Sequence, residues 1–169
     1  GETASGKTCA LVDVKTDAAV ASAPATSLHD RARAYVGFMP RGPLAAGGIA
    51  SVRYSDPGAF TKIESLDGIG DSAIWTGTYL AAEALRLSAT GAADARARVR
   101  ALSRTMHLWM NVAGEPGMLV RYAKESKTTY PYVLGDLDCA VERVHCGVDH
   151  GGTEYDFVGH ISRDQYQGA

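Results

Sequence analysis

Apolar residues in the middle of the chain recur at helical spacing. Residues 73–89 are rich in Leu, Ala and Glu, Asp71 or Ser72 is placed to cap them, and Gly91 is a typical helix terminator. In residues 92–112 the apolar positions lie three or four apart, while arginines occupy another face. The pattern predicts two helices. Because their connection is short, they must pack as antiparallel neighbours in an αα-hairpin.

Glycines and prolines break the rest of the chain into short pieces. The charged residues 123–127 are typical of a turn, residues 135–159 of a loop, and Ser162 is placed to cap a further helix. Five segments have the composition of short strands or extended arms: residues 10–14, 49–54, 60–63, 118–122 and 128–134.

These patterns predict a mainly α fold class, an αα-hairpin decorated by extended loops and short β arms. Residues 1–66 form a loop-rich N-terminal region, and residues 67–169 hold the hairpin and its loops. A helix that starts near Ser162, so close to Ala169, indicates either a single domain or a fragment of a larger helical-hairpin domain.

Charge and hydropathy argue against nucleic-acid binding and against a membrane span. The chain has 169 residues, with 17 Lys and Arg against 19 Asp and Glu, which gives a formal net charge of −2. Nucleic-acid binding normally needs a basic excess, so a nucleic-acid partner is not expected. No apolar stretch approaches the roughly 18–20 residues of a membrane span, while a hydrophobic content of 46% is enough for a core.

The three cysteines bear on the compartment. Cys139 and Cys146 are separated by six residues between turn-prone segments, so they can close a small disulfide loop, which fits an exported protein. Zinc binding by these cysteines with His145 and His150 is the alternative, but the spacing matches no standard ligand pattern. We therefore expect a secreted, extracellular or periplasmic protein without a metal, and Cys9 is the odd thiol.

Part of the chain resembles a known family. Residues 71–84, the turn at 89–91, residues 114–122 and Ser162 to Gln165 are similar to secreted carbohydrate-active proteins of the six-hairpin, (α/α) toroid type. The resemblance covers about residues 67–168. It implies a ring of helical hairpins with sugar-binding aromatic and carboxylate side chains at one end, of which this chain supplies only part.

Two sets of residues are candidates for glycan chemistry. Asp71, Trp75 and Tyr79 are spaced by four and share one helix face, where aromatic rings can stack on a sugar beside a carboxylate; the alternative is two core aromatics and an N-cap. Glycoside hydrolysis needs two carboxyl groups, and Asp71 and Asp164 are the candidate catalytic pair. The second set consists of further candidate substrate ligands, of which the arginines suit acidic sugars: Arg121, Tyr122, His160, Arg163 and Gln165.

A phosphate-loop pattern stands at the start of the sequence. Gly1, Gly6, Lys7 and Thr8 have its spacing, but the strand that should precede it has no counterpart here, so nucleotide binding is the least favoured function. The leading hypothesis is a carbohydrate-binding or glycan-cleaving protein without a cofactor. The alternative is a non-enzymatic extracellular structural or interaction protein that assembles with other subunits, including copies of itself, because incomplete helical layers leave apolar surface to be covered.

Overall fold

The computed structural model describes residues 27–56, 58–160 and 162–169. Of these residues 43% are helical and 20% lie in strands, which form two small three-stranded sheets. The prediction of a mainly α class is therefore wrong, and the fold is mixed α/β. The chain divides into two compact units, residues 1–35 and 36–169, and both sheets and the αα-hairpin belong to the second. The predicted strand at 10–14, the phosphate-loop pattern and Cys9 lie outside the described residues.

Four α-helices and six strands make up the described structure. The helices are α1 Leu28–Phe38, α2 Ser72–Thr90, α3 Ala93–Asn111 and α4 Arg163–Gly168. The strands are β1 Ser51–Tyr54, β2 Ile63–Asp67, β3 Tyr122–Glu125, β4 Val133–Leu134, β5 Val144–His150 and β6 Thr153–Val158. Two short 3-10 helices occupy Met39–Arg41 and Ile69–Asp71.

The predicted αα-hairpin is confirmed as α2 and α3. Gly91 takes a left-handed conformation, with φ 65°, and its N–H donates to the Leu87 carbonyl, as a helix-terminating glycine does. The inner face of α3 buries Leu102, Met106 and Trp109 at helical spacing. The hairpin is thus set by local signals in the sequence and by one apolar stripe.

The first sheet has the order β1-β2-β4, with β1 antiparallel and β4 parallel to β2. The predicted strand at 49–54 corresponds to β1, but the one predicted at 60–63 is displaced to β2. The carboxylate of Asp56 accepts hydrogen bonds from the backbone N–H groups of Thr61 and Lys62. That bonding closes a loop over the residues expected to be extended, so the strand begins only at Ile63.

The second sheet is antiparallel, in the order β3-β6-β5, and it contradicts the loop predicted at 135–159. Gly151 and Gly152 both have positive φ, 63° and 84°, and they join β5 to β6 as a two-residue hairpin turn. The predicted turn at 123–127 is largely β3. Of the predicted arms, 118–122 contributes only Tyr122 to a strand, and 128–134 contributes only β4.

The core lies between α3 and the sheets. Trp109 and Tyr122 are almost fully buried, with ring centroids 5.7 Å apart, and the Tyr122 hydroxyl donates to the Ala46 carbonyl at 2.8 Å. Gly48 is required beneath them, because a Cβ there would stand 2.5 Å from the Trp109 ring. Tyr122, predicted to contact substrate, is therefore a core residue with its polar group satisfied inside the protein.

The predicted disulfide is confirmed. Cys139 and Cys146 are bonded, with their Cα atoms 5.9 Å apart, and the bridge fastens the start of β5 to the preceding loop. Because both sulfurs are used, the cysteines offer no thiolates to zinc. None of the helices in the described part of the chain is both long and apolar enough to cross a lipid bilayer.

Asp156 on β6 gives a prediction about acid stability. Burial alone would raise its pKa, but hydrogen bonds from Ser126, Lys124 and the Gly147 N–H outweigh that effect and lower the pKa of this carboxyl from 3.8. Since the folded pKa is the lower one, the ionised carboxylate stabilises the fold above pH about 4 and this contribution is lost as pH falls further.

We therefore expect Asp156→Asn to lower the urea midpoint at pH 7 more than at pH 3. Asp149→Asn is the control, because Asp149 is exposed on β5 and makes no ion pair among the described residues. An equal loss from Asp156→Asn at both pH values would show that the carboxylate's charge does not contribute.

Candidate functional site

Residues from three separate stretches of the chain meet at the start of α2. The guanidinium of Arg121 donates to the Gly70 carbonyl from Nη1 at 2.6 Å and to the His160 carbonyl from Nε at 2.8 Å. Its Nη2 donates to the Ser162 hydroxyl at 3.3 Å, and Nη1 lies 3.8 Å from the Asp71 carboxylate. We call these residues, with Gln165, the Arg121 cluster. The structure thus brings together residues that the sequence analysis placed in two separate sets.

Gln165 of α4 is the last member of the Arg121 cluster and contacts Asp71. Its side chain is fully buried, and its amide Nε2 donates to Asp71 Oδ1 at 3.2 Å. The amide oxygen Oε1 has no hydrogen-bond partner among the described residues. Because the charged acceptor Asp71 fixes the amide, Gln165 holds α4 against the first turn of α2.

The predicted cap residues do not cap their helices. Asp71 and Ser162 occupy the N-cap positions of α2 and α4, but neither side chain makes a capping hydrogen bond to a backbone N–H of its helix. The Asp71 carboxylate instead receives Gln165, and the Ser162 hydroxyl accepts from Arg121. Both side chains are therefore used for tertiary contact, and the Arg121 cluster joins the two helix starts.

Three predicted residues at the cluster are exposed: the predicted ligands His160 and Arg163 and the predicted catalytic residue Asp164. The Ser162 hydroxyl and, more weakly, the charge of Arg121 lower the pKa of Asp164. A general acid in glycoside hydrolysis needs a raised pKa, whereas this environment lowers the pKa of Asp164 and favours its ionised form. The catalytic pairing of Asp71 with Asp164 remains a prediction.

Trp75 and Tyr79, predicted to bind sugar, have different surroundings. Trp75 is half-buried beside Gly68, with part of its ring open to solvent. The hydroxyl of Tyr79 is buried, and desolvation together with the nearby Glu83 carboxylate raises the pKa of Tyr79 to about 12, although the two groups do not reach hydrogen-bond geometry. Glu83 is itself buried and held by Arg86, at 2.7 Å. Tyr79 therefore belongs to the packing of the helices.

The loop histidines have structural partners. His145 stacks on Phe157 with ring centroids 4.7 Å apart, and His150 packs edge-on against Tyr155. No group of three or more His, Cys, Asp and Glu side chains in residues 27–56, 58–160 and 162–169 is arranged to hold a metal ion.

An apolar groove of about 340 Å³ lies where α3 ends and α4 packs. Met110 and Tyr166 are about half exposed at its edge, and the Tyr166 hydroxyl is fixed by donating to the Gly117 carbonyl at 2.7 Å. This groove was not predicted from the sequence, although Met110 is one of the apolar positions within residues 92–112 that predicted α3. Its lining residues are Met110, Gly117, Met118, Leu119, Tyr166 and Ala169.

The groove depends on a close helix contact. The Gly77 and Gly168 backbones let α2 and α4 approach so closely that a Cβ at Gly168 would stand 2.6 Å from Cα of Ile74. This contact and the Arg121 cluster together position α4, and α4 carries Tyr166. The polar cluster thus serves the groove by building one of its walls.

Comparison with known proteins supplies no relative. No protein-family model, no curated protein and no solved structure matches this chain. The resemblance to (α/α) toroid proteins therefore remains a prediction, and the proposed function rests on the geometry of the site alone.

Proposed function

We propose that this chain is a non-enzymatic extracellular interaction protein that binds a partner polypeptide in the apolar groove beside α4. The observation that carries this proposal is the groove itself, which has about 340 Å³ of space between the exposed side chains of Met110 and Tyr166. Exposed apolar surface of this kind is typical of interaction sites. The disulfide Cys139–Cys146 supports an extracellular location.

The polar residues support binding over catalysis. The predicted carboxylate Asp71 is bonded to Gln165, and the hydrogen-bonding groups of Arg121 point to four groups of the protein itself. A general acid must be protonated when it meets the substrate, whereas the Ser162 hydroxyl lowers the pKa of the other candidate, Asp164. The arrangement therefore favours an anchor that shapes a binding surface.

The lining suits a polypeptide ligand. Methionine is flexible and polarisable, so Met110 and Met118 can adapt to apolar side chains of different shape. Tyr166 offers a rigid ring whose hydroxyl is already satisfied, which keeps the entropic cost of binding low. One or two apolar side chains of a partner would fill the groove.

Selection from a displayed library of helical peptides against the full chain tests the proposal. We expect the selected peptides to lose about tenfold or more in affinity for Met110→Asp, because a carboxylate would be placed against their apolar side chain. Leu85→Asp is the matched control, since Leu85 is 73% exposed on α2 and does not line the groove. Peptides that bind both variants equally would overturn the assignment of the groove.

A glycan-binding function is the second candidate, and the half-buried Trp75, one helical turn after the exposed Asp71, favours it. Binding to a glycan panel that is lost in Trp75→Ala but retained in Met110→Asp would support glycan binding over peptide binding in the groove.

Light scattering of the same variants tests self-association. A dimer that is broken only by Met110→Asp would identify a second copy of the chain as the partner.

A further inference from the structure

The outer face of α3 carries a row of arginines. Arg96, Arg100 and Arg104 are spaced by four residues and all are exposed. Among the described residues none of these three guanidinium groups forms an ion pair, and the single acidic residue of α3, Asp94, is held by Arg86 at 2.9 Å. An uncompensated row of arginines is notable in a chain whose formal net charge is −2.

This basic row leads to the groove. His107 and Met110 continue the same exposed face towards the end of α3, because residues three or four apart lie above one another on a helix. With a rise of 1.5 Å per residue, Arg104 and Met110 are about 9 Å apart along the helix axis. Around the axis these two residues differ by about 120°, so the arginines and the edge of the groove lie on one broad exposed side of α3.

We propose that the groove's partner is an acidic amphipathic helix, whose carboxylates face Arg96, Arg100 and Arg104 and whose apolar side chain enters the groove. This inference rests on the proposed function. Glutamates four residues apart on a helix repeat about every 6 Å, which is the repeat of the three arginines. Arginine also pairs with carboxylates in a bidentate manner.

The surface fits a polypeptide better than other anions. An acidic polysaccharide would satisfy the arginines but has no side chain to fill a groove lined by Met118 and Leu119. An anionic membrane would need a broad band of projecting apolar side chains, whereas Met110 and Tyr166 are the two large apolar side chains of the groove lining that are exposed. A helix presents charge and apolar side chains at the required separation.

A probe peptide tests the inference. The probe is a helical peptide with three glutamates four residues apart and two leucines further along the same face, made in both chain directions. The control peptide has glutamines in place of the glutamates. We expect the glutamate peptide to bind the full chain, and to lose about tenfold or more in affinity when Arg96, Arg100 and Arg104 are all changed to Gln. Arg33→Gln, on the exposed face of α1, is the matched control.

The possible outcomes distinguish a failure of this inference from a failure of the proposed function. If the glutamine peptide binds the native chain as tightly as the glutamate peptide does, and Met110→Asp abolishes this binding, the partner need not be acidic. The groove would then remain a binding site. If Met110→Asp leaves the affinity for the glutamate peptide unchanged, the groove is not part of the surface that binds the peptide. Stronger binding to phosphatidylserine vesicles or to heparin than to the glutamate peptide would overturn the inference in favour of a membrane or a polysaccharide.

Discussion

Replacing Gly77 by Ala is expected to destabilise the second unit by about 2–3 kcal/mol, the range of an overpacked contact. In a free helix the same change would stabilise by roughly 1 kcal/mol, so the expected sign is opposite to the intrinsic preference. The new methyl group would overlap the carbonyl oxygen of Gly168 and stand 2.7 Å from Cα of Ala169. Because those atoms are backbone, no side-chain rotation can relieve the clash.

Urea unfolding and hydrogen exchange measure the result. We expect α4 to lose amide protection first, because it must move away from α2 to admit the methyl group. Gly37→Ala is the matched control, since Gly37 is also helical and a Cβ there would meet nothing within 4 Å. A stabilised Gly77→Ala protein with an unchanged α4 would show that the two backbones are not in contact.

The αα-hairpin was predictable because its signals are local. Helical periodicity, the small residues of α2 and the left-handed Gly91 all act within a few residues, and each agrees with the others. The second sheet was less visible. Its Gly151-Gly152 turn is a hairpin signal, but an irregular register between His145 and Val148 breaks the alternation of β5. Residues 135–159 therefore lack the regular alternation that would have predicted a strand.

The candidate site was predictable in its residue types but not in its use. The sequence marks Asp71 and Gln165 as polar residues near helix starts and Arg121 as a polar residue after the αα-hairpin. Hydrogen-bond partners 51 and 94 residues apart are a tertiary property that no periodic pattern encodes. The groove was missed for the same reason, because its walls come from the end of α3, the following turn and α4.

Replacing Arg121 by Met is expected to destabilise the protein by about 2–4 kcal/mol, because the carbonyls of Gly70 and His160 lose their charged donor. Methionine is chosen because it keeps the apolar stem of the arginine side chain. The side chain of Arg121 is only 19% exposed, so water cannot fully replace it. Arg163→Met is the control, because Arg163 is exposed and makes no ion pair among the described residues.

The same pair of variants decides between an anchor and a ligand-binding arginine. If Arg121 is an anchor, the loss of stability is accompanied by lost protection of α4 and by weaker binding of groove peptides, while Arg121→Lys recovers only part of both, since an ammonium cannot span all four acceptors. If Arg121 holds an acidic sugar, Arg121→Met keeps the stability of the native chain and loses glycan binding. Stability measured without any ligand separates the two, because an anchor acts before a ligand arrives and a binding residue does not.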